Sequence, residues 1–200
     1  TGMTTVADPR GQQLDWPKLT NQRLVALLND TRHVVRERAI NTCANRGEVM
    51  IPLLKSTLER RSVRERLGAI WALTRLVGSS ATARAKAHAA LRTAFDDSDP
   101  AVRLAACRSF ATYPDPKSLP QLLALIKDED PGIRREAATA LGRLGEGQAV
   151  PALLEALTRK PSRPEEHAIL YALIEINDYE QIAQGLVSDV FPCENGHAQE

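Results

Sequence analysis

A five-residue motif recurs along the chain and limits what the chain can fold into. Each copy places a small or apolar residue three positions after an arginine, as in Val35-Arg36-Glu37-Arg38-Ala39. With a degenerate fifth copy counted, this marker residue falls at intervals of 30, 37, 31 and 32 residues, at Ala39, Ala69, Ala106, Ala137 and Ile169. Repeats of thirty-odd residues are typical of stacked helical hairpins. The motif therefore predicts an array of about five hairpins.

Each unit is predicted to hold an apolar first helix, a polar turn and a second helix that begins near the motif. The first helices are expected over 19–28, 48–58, 84–95, 118–126 and 149–157. The second helices are expected over 33–45, 63–76, 101–111, 132–143 and 164–176. Asp99-Pro100 and Asp130-Pro131 pair an N-cap with a proline at the first helical position. Gly47, Gly78 and Gly145 are predicted to end second helices in the left-handed conformation.

The same pattern divides the chain into three parts. Residues 1–18 are expected to be a linker or a leader left from expression, 19–187 the repeat array, and 188–200 a tail. The long interval of 37 residues predicts an inserted loop over 78–82. A short apolar stretch over 181–187 is expected to begin a sixth unit or to cap the array.

Composition supports helices and argues against strands. Aromatic residues are only 4% of the chain, and no stretch alternates apolar and polar residues as a half-buried strand does. No apolar run approaches eighteen residues, so we expect no membrane insertion of this segment. The predicted fold class is all-α.

The D-x-x-V-R-x-x-A pattern of units one, three and four resembles HEAT repeats, of the short kind found in phycobilisome-lyase-like proteins. The resemblance covers about residues 19–187 and implies a right-handed α-solenoid of about five HEAT-like hairpins. Three stretches, VRERAINTCANRG, GAIWALTRL and EEHAILYALIEI, also resemble the HEAT segment of large bacterial membrane-bound dehydrogenase-like proteins with a c-type haem domain. That second resemblance implies an internal spacer of an exported protein.

Charge is distributed unevenly although the net charge is only +1. Residues 21–92 contain fourteen Arg and Lys against five Asp and Glu, a net charge of +9. Residues 93–200 contain ten against eighteen, a net charge of −8. The basic half is either a set of solvated faces or a docking surface for an acidic partner.

The arginines of the motif are interpreted as a structural ladder. Helical spacing puts Arg36 on the same side as Ala39 and Cys43, along the packed face. There a guanidinium would bond turn carbonyls or aspartates such as Asp30, Asp97 or Asp128. The ladder comprises Arg36, Arg66, Arg103 and Arg134.

The opposite side of each second helix is the predicted partner-binding surface, because second helices usually line the concave face of a solenoid. Trp71, flanked by Arg75 and Arg108, is expected to form an aromatic and guanidinium platform of the kind enriched at interfaces. The alternative is that Trp71 and Tyr171 fold against neighbouring helices. The predicted set is Asn41, Trp71, Arg75, Arg108, Arg143 and Tyr171.

No catalytic motif is present. The sequence has no G-x-S-x-G, P-loop or dinucleotide fingerprint. Cys193 and His197 lie four apart without the second cysteine of a haem attachment motif, and no His-Glu dipeptide of the iron hydroxylases occurs. We expect no enzyme activity, no cofactor and no metal.

The sequence thus favours a non-catalytic scaffold or spacer that binds a protein partner, or adjoining domains of a longer chain, and that is itself a monomer. Two alternatives remain open. One is nucleic-acid binding by the basic half, in the manner of HEAT-like DNA repair proteins, although the acidic half argues against a long nucleic acid. The other is a bilin lyase-like or iron-dependent enzyme built on the same scaffold.

Overall fold

The computed structural model describes residues 7–190, and the side chains up to residue 186. Helices are the only regular elements in that range, and no strand occurs within it. Two compact units divide the chain, residues 1–109 and residues 110–200. The predicted all-α class is therefore confirmed.

The first unit contains three hairpins. Its first helices are α1 (Asn21–Ala26), α3 (Ile51–Thr57) and α5 (Ala81–Arg92), and its second helices are α2 (His33–Asn45), α4 (Val63–Val77) and α6 (Pro100–Thr112), the last of which ends just past the boundary. The second unit contains two hairpins and one further helix. These are α7 (Leu119–Leu125) with α8 (Pro131–Leu144), α9 (Val150–Thr158) with α10 (Arg163–Ile176), and α11 (Tyr179–Val190).

Small residues let the second helices approach each other closely. All five marker residues of the motif are fully buried. In the second unit, α8 approaches α10 closely at Gly142, where a Cβ atom would lie 2.7 Å from the Cα atom of Ala172. A larger side chain at either position would push the helices apart, because a packed core has no spare volume.

Two of the predicted helix boundaries are set by the expected caps. The Asp130 carboxylate accepts hydrogen bonds from the backbone N–H groups of Gly132 and Ile133, at 2.7 and 3.1 Å, and Pro131 is the first residue of α8. Gly145 ends α8 with a φ of 74°, in the left-handed region. The expectation for Gly78 was wrong, because its φ of −76° continues the right-handed conformation of α4.

The loop predicted over 78–82 is shorter than expected, because residues 78–80 form the turn whereas Ala81 and Thr82 already belong to α5. Ser80 is the N-cap of α5, and its hydroxyl accepts a hydrogen bond from the N–H of Ala83 at 3.1 Å. The helix therefore begins at Ala81, three residues before the predicted start. Ala-rich sequence with a serine cap favours helix even where the repeat is lengthened.

Residues 8–18 pack on the first hairpin, which differs from the linker expected there. Trp16 is only 5% exposed, and its indole N–H donates to the Gly11 carbonyl at 2.8 Å. The Arg38 guanidinium lies 4.5 Å from the centre of the Trp16 ring, a cation–π contact. Gly11 has a φ of 62° and faces Val35 so closely that a Cβ atom there would lie 2.9 Å from it. The aromatic residue covers apolar surface that the first hairpin would otherwise leave open.

The ladder arginines bind the turns between the two helices of their own hairpins. One terminal nitrogen of each donates to two successive carbonyls, as Arg36 Nη1 does to Asp30 and Thr31 at 2.8 and 3.0 Å. Arg66, Arg103 and Arg134 repeat this pair of bonds in their own turns. The guanidinium satisfies carbonyls that would otherwise be left unpaired at the end of a short helix.

Two of these arginines also reach an acid 31 residues further along the chain, in the next hairpin. Arg66 Nη2 donates to Asp97 at 3.0 Å, and Nε lies 2.8 Å from the other carboxylate oxygen at an angle that makes no hydrogen bond. In the second unit, Arg134 holds Glu165 through two parallel hydrogen bonds of 2.5 and 3.1 Å. Bonding to Glu165 raises the pKa of Arg134. The ladder thus ties each of these turns to the following hairpin.

The Arg134–Glu165 pair gives a stability prediction. Glu165 is buried, so Glu165→Gln leaves the Arg134 charge without a counterion and should lower the free energy of unfolding by about 1–3 kcal/mol. Urea denaturation followed by circular dichroism measures the change. Glu155→Gln is the matched control, because Glu155 pairs with Lys127 on the exposed surface and should leave the midpoint unchanged. Equal loss in both variants would show that the Arg134–Glu165 pair has no special role.

Asp30 gives a pH prediction. Its carboxylate accepts hydrogen bonds from the side chain and backbone of Arg32, and this bonding lowers its pKa from 3.8 to about 2. A lowered pKa stabilises the fold above the unfolded value near pH 4, and the stabilisation is lost as the pH falls towards 2. The stability difference between the wild type and Asp30→Asn should therefore be constant above pH 4.5 and shrink from pH 4 to pH 2. A difference independent of pH over that range would contradict the assignment.

Candidate functional site

A groove of about 710 Å³ runs between α2 and α4 in the first unit. Its apolar lining includes Ile40 of α2 together with Leu67, Gly68 and Trp71 of α4. Gly68 is buried and packs closely on Leu28, because a Cβ atom there would lie 3.0 Å from the Leu28 Cβ. We call this cavity the α2–α4 groove.

Trp71 and Arg75 lie one helical turn apart on α4. Trp71 lines this groove, and Arg75 lies beside it. Trp71 is half-buried and lines the groove with its indole. Arg75 is exposed, and its Nη1 donates to the Trp71 carbonyl at 3.2 Å. Its Nη2 lies 3.5 Å from the Glu37 carboxylate on α2. That long, exposed ion pair is weak, so Arg75 keeps most of its capacity to bind another carboxylate.

Two arginines, Arg64 and Arg36, line the α2–α4 groove, together with one acid, Glu37, and with His33. One terminal nitrogen of Arg36 binds the turn carbonyls, whereas Arg64 is exposed. An apolar cleft with exposed guanidinium groups at its edge suits a partner segment that combines apolar and acidic side chains.

α6 continues the same row of second helices in the first unit. The hydroxyls of Thr74 on α4 and Ser109 on α6 lie 2.7 Å apart, so one of them can donate to the other, which in turn donates to a carbonyl of its own helix. This contact fixes α6 beside α4. Arg108, next to Ser109, is exposed. Asn41, Trp71, Arg75 and Arg108 therefore lie on three successive second helices of one unit.

The other two predicted binding residues belong to the second unit. Arg143 is exposed but forms an ion pair of 3.1 Å with Glu175 on α10. Tyr171 is 51% exposed, and its ring centre lies 6.3 Å from that of His167. Tyr171 and Glu175 help to line a smaller groove of about 380 Å³ between α8 and α10, together with Arg135 and Thr139. The six predicted residues thus divide between the two units, four in the first and two in the second, and only Trp71 and Tyr171 line a groove.

Sequence reasoning missed part of the α2–α4 groove. Arg64 and Leu67 line it, and they precede Trp71 by seven and four residues on α4. Glu37 precedes Asn41 by four residues on α2. This helical spacing places them on the same side of their helices as the predicted residues. A search of the positions four and seven residues before Trp71, and four before Asn41, would therefore have identified them.

The two cysteines of the described region are structural. Cys43 and Cys107 are buried, and burial raises the pKa of the Cys43 thiol to about 11. No group of three or more His, Cys, Asp or Glu side chains in the described region is arranged to hold a metal ion. Cys193 and His197, considered above as a ligand pair, lie outside the described residues. No helix between residues 7 and 190 has the length and apolarity to cross a bilayer.

Comparisons with known proteins agree with the hairpin architecture. A family model for HEAT repeats matches residues 87–174, from the middle of α5 to the end of α10. The predicted resemblance to HEAT repeats is confirmed. The search of curated proteins found no match.

Three solved structures share the fold at low identity. A designed armadillo repeat protein in complex with the peptide (KR)4 is 18% identical, with a TM-score of 0.57 over 90% of this chain and 93% of that one. YibA of Escherichia coli is 18% identical, with a TM-score of 0.62 over 98% and 73%. The complex of CpcE and CpcF of phycocyanin lyase from Nostoc is 19% identical, with a TM-score of 0.61 over 94% and 74%. At these identities the likeness establishes the α-solenoid fold class alone. No match supports the predicted dehydrogenase context.

Because Cys43 is buried and the pKa of its thiol is raised, we expect this thiol to react slowly with modifying reagents. In a Cys193→Ser background, the native protein should react with Ellman's reagent at pH 8 far more slowly than the protein unfolded in guanidinium chloride, because the buried thiol stays protonated at that pH. Absorbance of the released thiolate measures the rate. Rapid labelling of the native protein, at a rate close to that of the unfolded chain, would contradict the buried assignment.

Proposed function

We propose that the chain is a non-catalytic protein-interaction scaffold, and that the α2–α4 groove binds a partner segment carrying acidic and apolar side chains. The observation that carries this proposal is the partly buried Trp71, which lines an open groove together with Arg64, while Arg75 lies one helical turn further along α4. Aromatic and arginine side chains around a partly desolvated cleft are the usual anchors of protein interfaces.

The charge of the groove supports an acidic segment in particular. Arg66 and Arg134 are occupied by turn carbonyls and acids of the fold, so they do not provide the attraction. Arg64 and Arg75 project from α4 instead, in a stretch of net charge +9. The designed armadillo repeat protein, which shares the fold, is in complex with a basic peptide. We infer a preference for an acidic segment in this chain, because the exposed charged residues at the edge of its groove are arginines.

A non-catalytic role is supported by the residues that line the two second-helix grooves. Neither groove contains a cysteine, and His33 and His167 each line a groove alone, without a second histidine. An iron enzyme needs a set of metal ligands at its site, and neither lining offers two histidines. The fold relationship to the phycocyanin lyase complex, at 19% identity, carries no assignment of lyase activity here.

Trp71 provides both the test and its readout. The chain has two tryptophans, so in a Trp16→Phe background the fluorescence of Trp71 alone reports on the groove. We expect the peptide Glu-Glu-Leu-Glu-Glu-Leu-Glu-Glu to shift the emission in a saturable, salt-sensitive way, and Lys-Lys-Leu-Lys-Lys-Leu-Lys-Lys to cause no shift. Arg64→Ala with Arg75→Ala should weaken binding by about tenfold, which corresponds to about 1.4 kcal/mol.

The matched control changes the groove of the second unit. Arg143→Ala with Tyr171→Ala removes one arginine and one aromatic ring and should leave the affinity for the acidic peptide unchanged. Circular dichroism checks that each variant keeps its helical content. Equal binding of the basic peptide, or an affinity insensitive to Arg64 and Arg75, would contradict the proposal. Salt-sensitive binding of duplex DNA that competes with the acidic peptide would favour the nucleic-acid alternative instead.

A further inference from the structure

The ladder arginine Arg36 pairs with no acid of the described region, unlike Arg66 and Arg134. Its Nη1 donates to the carbonyls of Asp30 and Thr31. Its Nε and Nη2 make no hydrogen bond or ion pair with another described residue. Arg36 is partly buried and lines the α2–α4 groove. Two donor nitrogens of this cation are therefore available to a ligand, and we call these two nitrogens the Arg36 fork.

The corresponding two nitrogens contact an acid in the ladder arginines Arg66 and Arg134. Arg134 Nε and Nη2 donate to the two carboxylate oxygens of Glu165 at 2.5 and 3.1 Å. Arg66 Nη2 donates to Asp97 at 3.0 Å, and its Nε lies 2.8 Å from the other carboxylate oxygen. In all three arginines Nη1 binds the turn carbonyls. The Arg36 fork thus has the chemistry and the anchoring of a carboxylate site.

The sequence of the second hairpin explains why it does not supply that acid. Asp97 lies five residues before Val102, the first motif residue of its hairpin, whereas Arg60 lies five residues before Glu65 in the second hairpin. Glu65 has the motif position of Glu165, but its carboxylate lies 3.6 Å from Arg60 Nη1. An arginine therefore occupies the position of the acid, and the acid at the other equivalent position is paired with that arginine.

The two acids that lie near Arg36 in the sequence do not occupy the fork. Glu37 lines the α2–α4 groove, and its ion pair is with Arg75. The Asp30 carboxylate accepts two hydrogen bonds from the side chain of Arg32. The groove thus contains a partly buried arginine whose carboxylate partner is not supplied by a described residue.

We propose that the Arg36 fork binds an aspartate or glutamate side chain of the partner segment, in the place of the acid that the second hairpin does not supply. The inference rests on the proposed function and names the anchor of the same groove. Arg64 and Arg75 are exposed and attract an acidic segment, whereas the partly buried Arg36 fixes the position of one acid. Ile40 lies four residues after Arg36, about 6 Å along α2, so the segment needs an apolar side chain close to that acid.

The test supplies the acid from the chain itself. Arg60→Asp with Glu65→Gln puts a carboxylate at the position that corresponds to Asp97 and removes the acid that Arg60 would release. We expect this variant to bind the peptide Glu-Glu-Leu-Glu-Glu-Leu-Glu-Glu, acetylated and amidated, about tenfold more weakly than Arg60→Asn with Glu65→Gln. Trp71 fluorescence in the Trp16→Phe background, at 150 mM NaCl, measures the affinity.

The control for charge moves the same change to the next residue. Arg61 is exposed, and Arg61→Asp with Glu65→Gln should weaken binding by at most about threefold, because salt screens charges outside the site. Circular dichroism checks that each variant keeps its helical content. Equal weakening by the two aspartate variants, or equal binding by the Arg60→Asp and Arg60→Asn variants, would overturn the inference.

A second readout separates this inference from the proposed function. In 15N spectra, the Nε–H signal of Arg36, identified by its loss in Arg36→Lys, should shift when the blocked peptide binds the wild type and stay unchanged in the Arg60→Asp variant. A peptide that shifts the Trp71 emission but not the Arg36 signal overturns the inference alone. A peptide that changes neither signal overturns the proposed function as well. Binding that requires a free C-terminal carboxylate also overturns the inference, because the ligand would then be a chain terminus.

Discussion

Close approach between successive second helices is the constraint on which the rest of each unit depends. The marker residues of the motif are small or apolar and wholly buried, and at Gly142 the neighbouring backbone lies where a Cβ atom would be. Helices this close cannot also hold long side chains between them. The side chains of the motif arginines are therefore directed to the turns, where they bind carbonyl groups of their own hairpin. Arg66 and Arg134 also bind an acidic residue of the next hairpin.

Because the inward side chains pack and the motif arginines bind the turns, the outward side of the second helices is available for binding. Residues that face inward take part in packing and in the ladder, whereas Arg64 and Arg75 are exposed, and Arg75 makes only a long ion pair of 3.5 Å with Glu37. The grooves in the two units differ accordingly. In the first unit the exposed Arg64 lines the groove with Trp71, and Arg75 makes a long ion pair of 3.5 Å, whereas in the second unit the corresponding Arg143 is paired with Glu175 at 3.1 Å. The two grooves thus differ in charge and in volume, about 710 Å³ against about 380 Å³.

The hairpins and the role of the arginines could be predicted from sequence because both follow from local spacing. α2 begins and ends where the period placed it, and the ladder bonds follow from the short distance between the motif and its own turn. The cover formed by Trp16 could not be predicted, because nothing in residues 8–18 has helical or strand periodicity. Its position depends on Gly11, Arg38 and Val35, which come together only in three dimensions. The start of α5 was misplaced because the inserted residues were assumed to be loop, although Ser80 and the alanines after it favour helix.

The most direct test of the account is a chemical-shift titration of the 15N-labelled protein with the acidic peptide Glu-Glu-Leu-Glu-Glu-Leu-Glu-Glu. The account predicts that saturable shifts are confined to α2 and α4 and the facing side of α6, with the Trp71 indole N–H among the largest. Shifts centred on α8 and α10, or no saturable shift at all, would contradict the assignment of the α2–α4 groove as the binding surface.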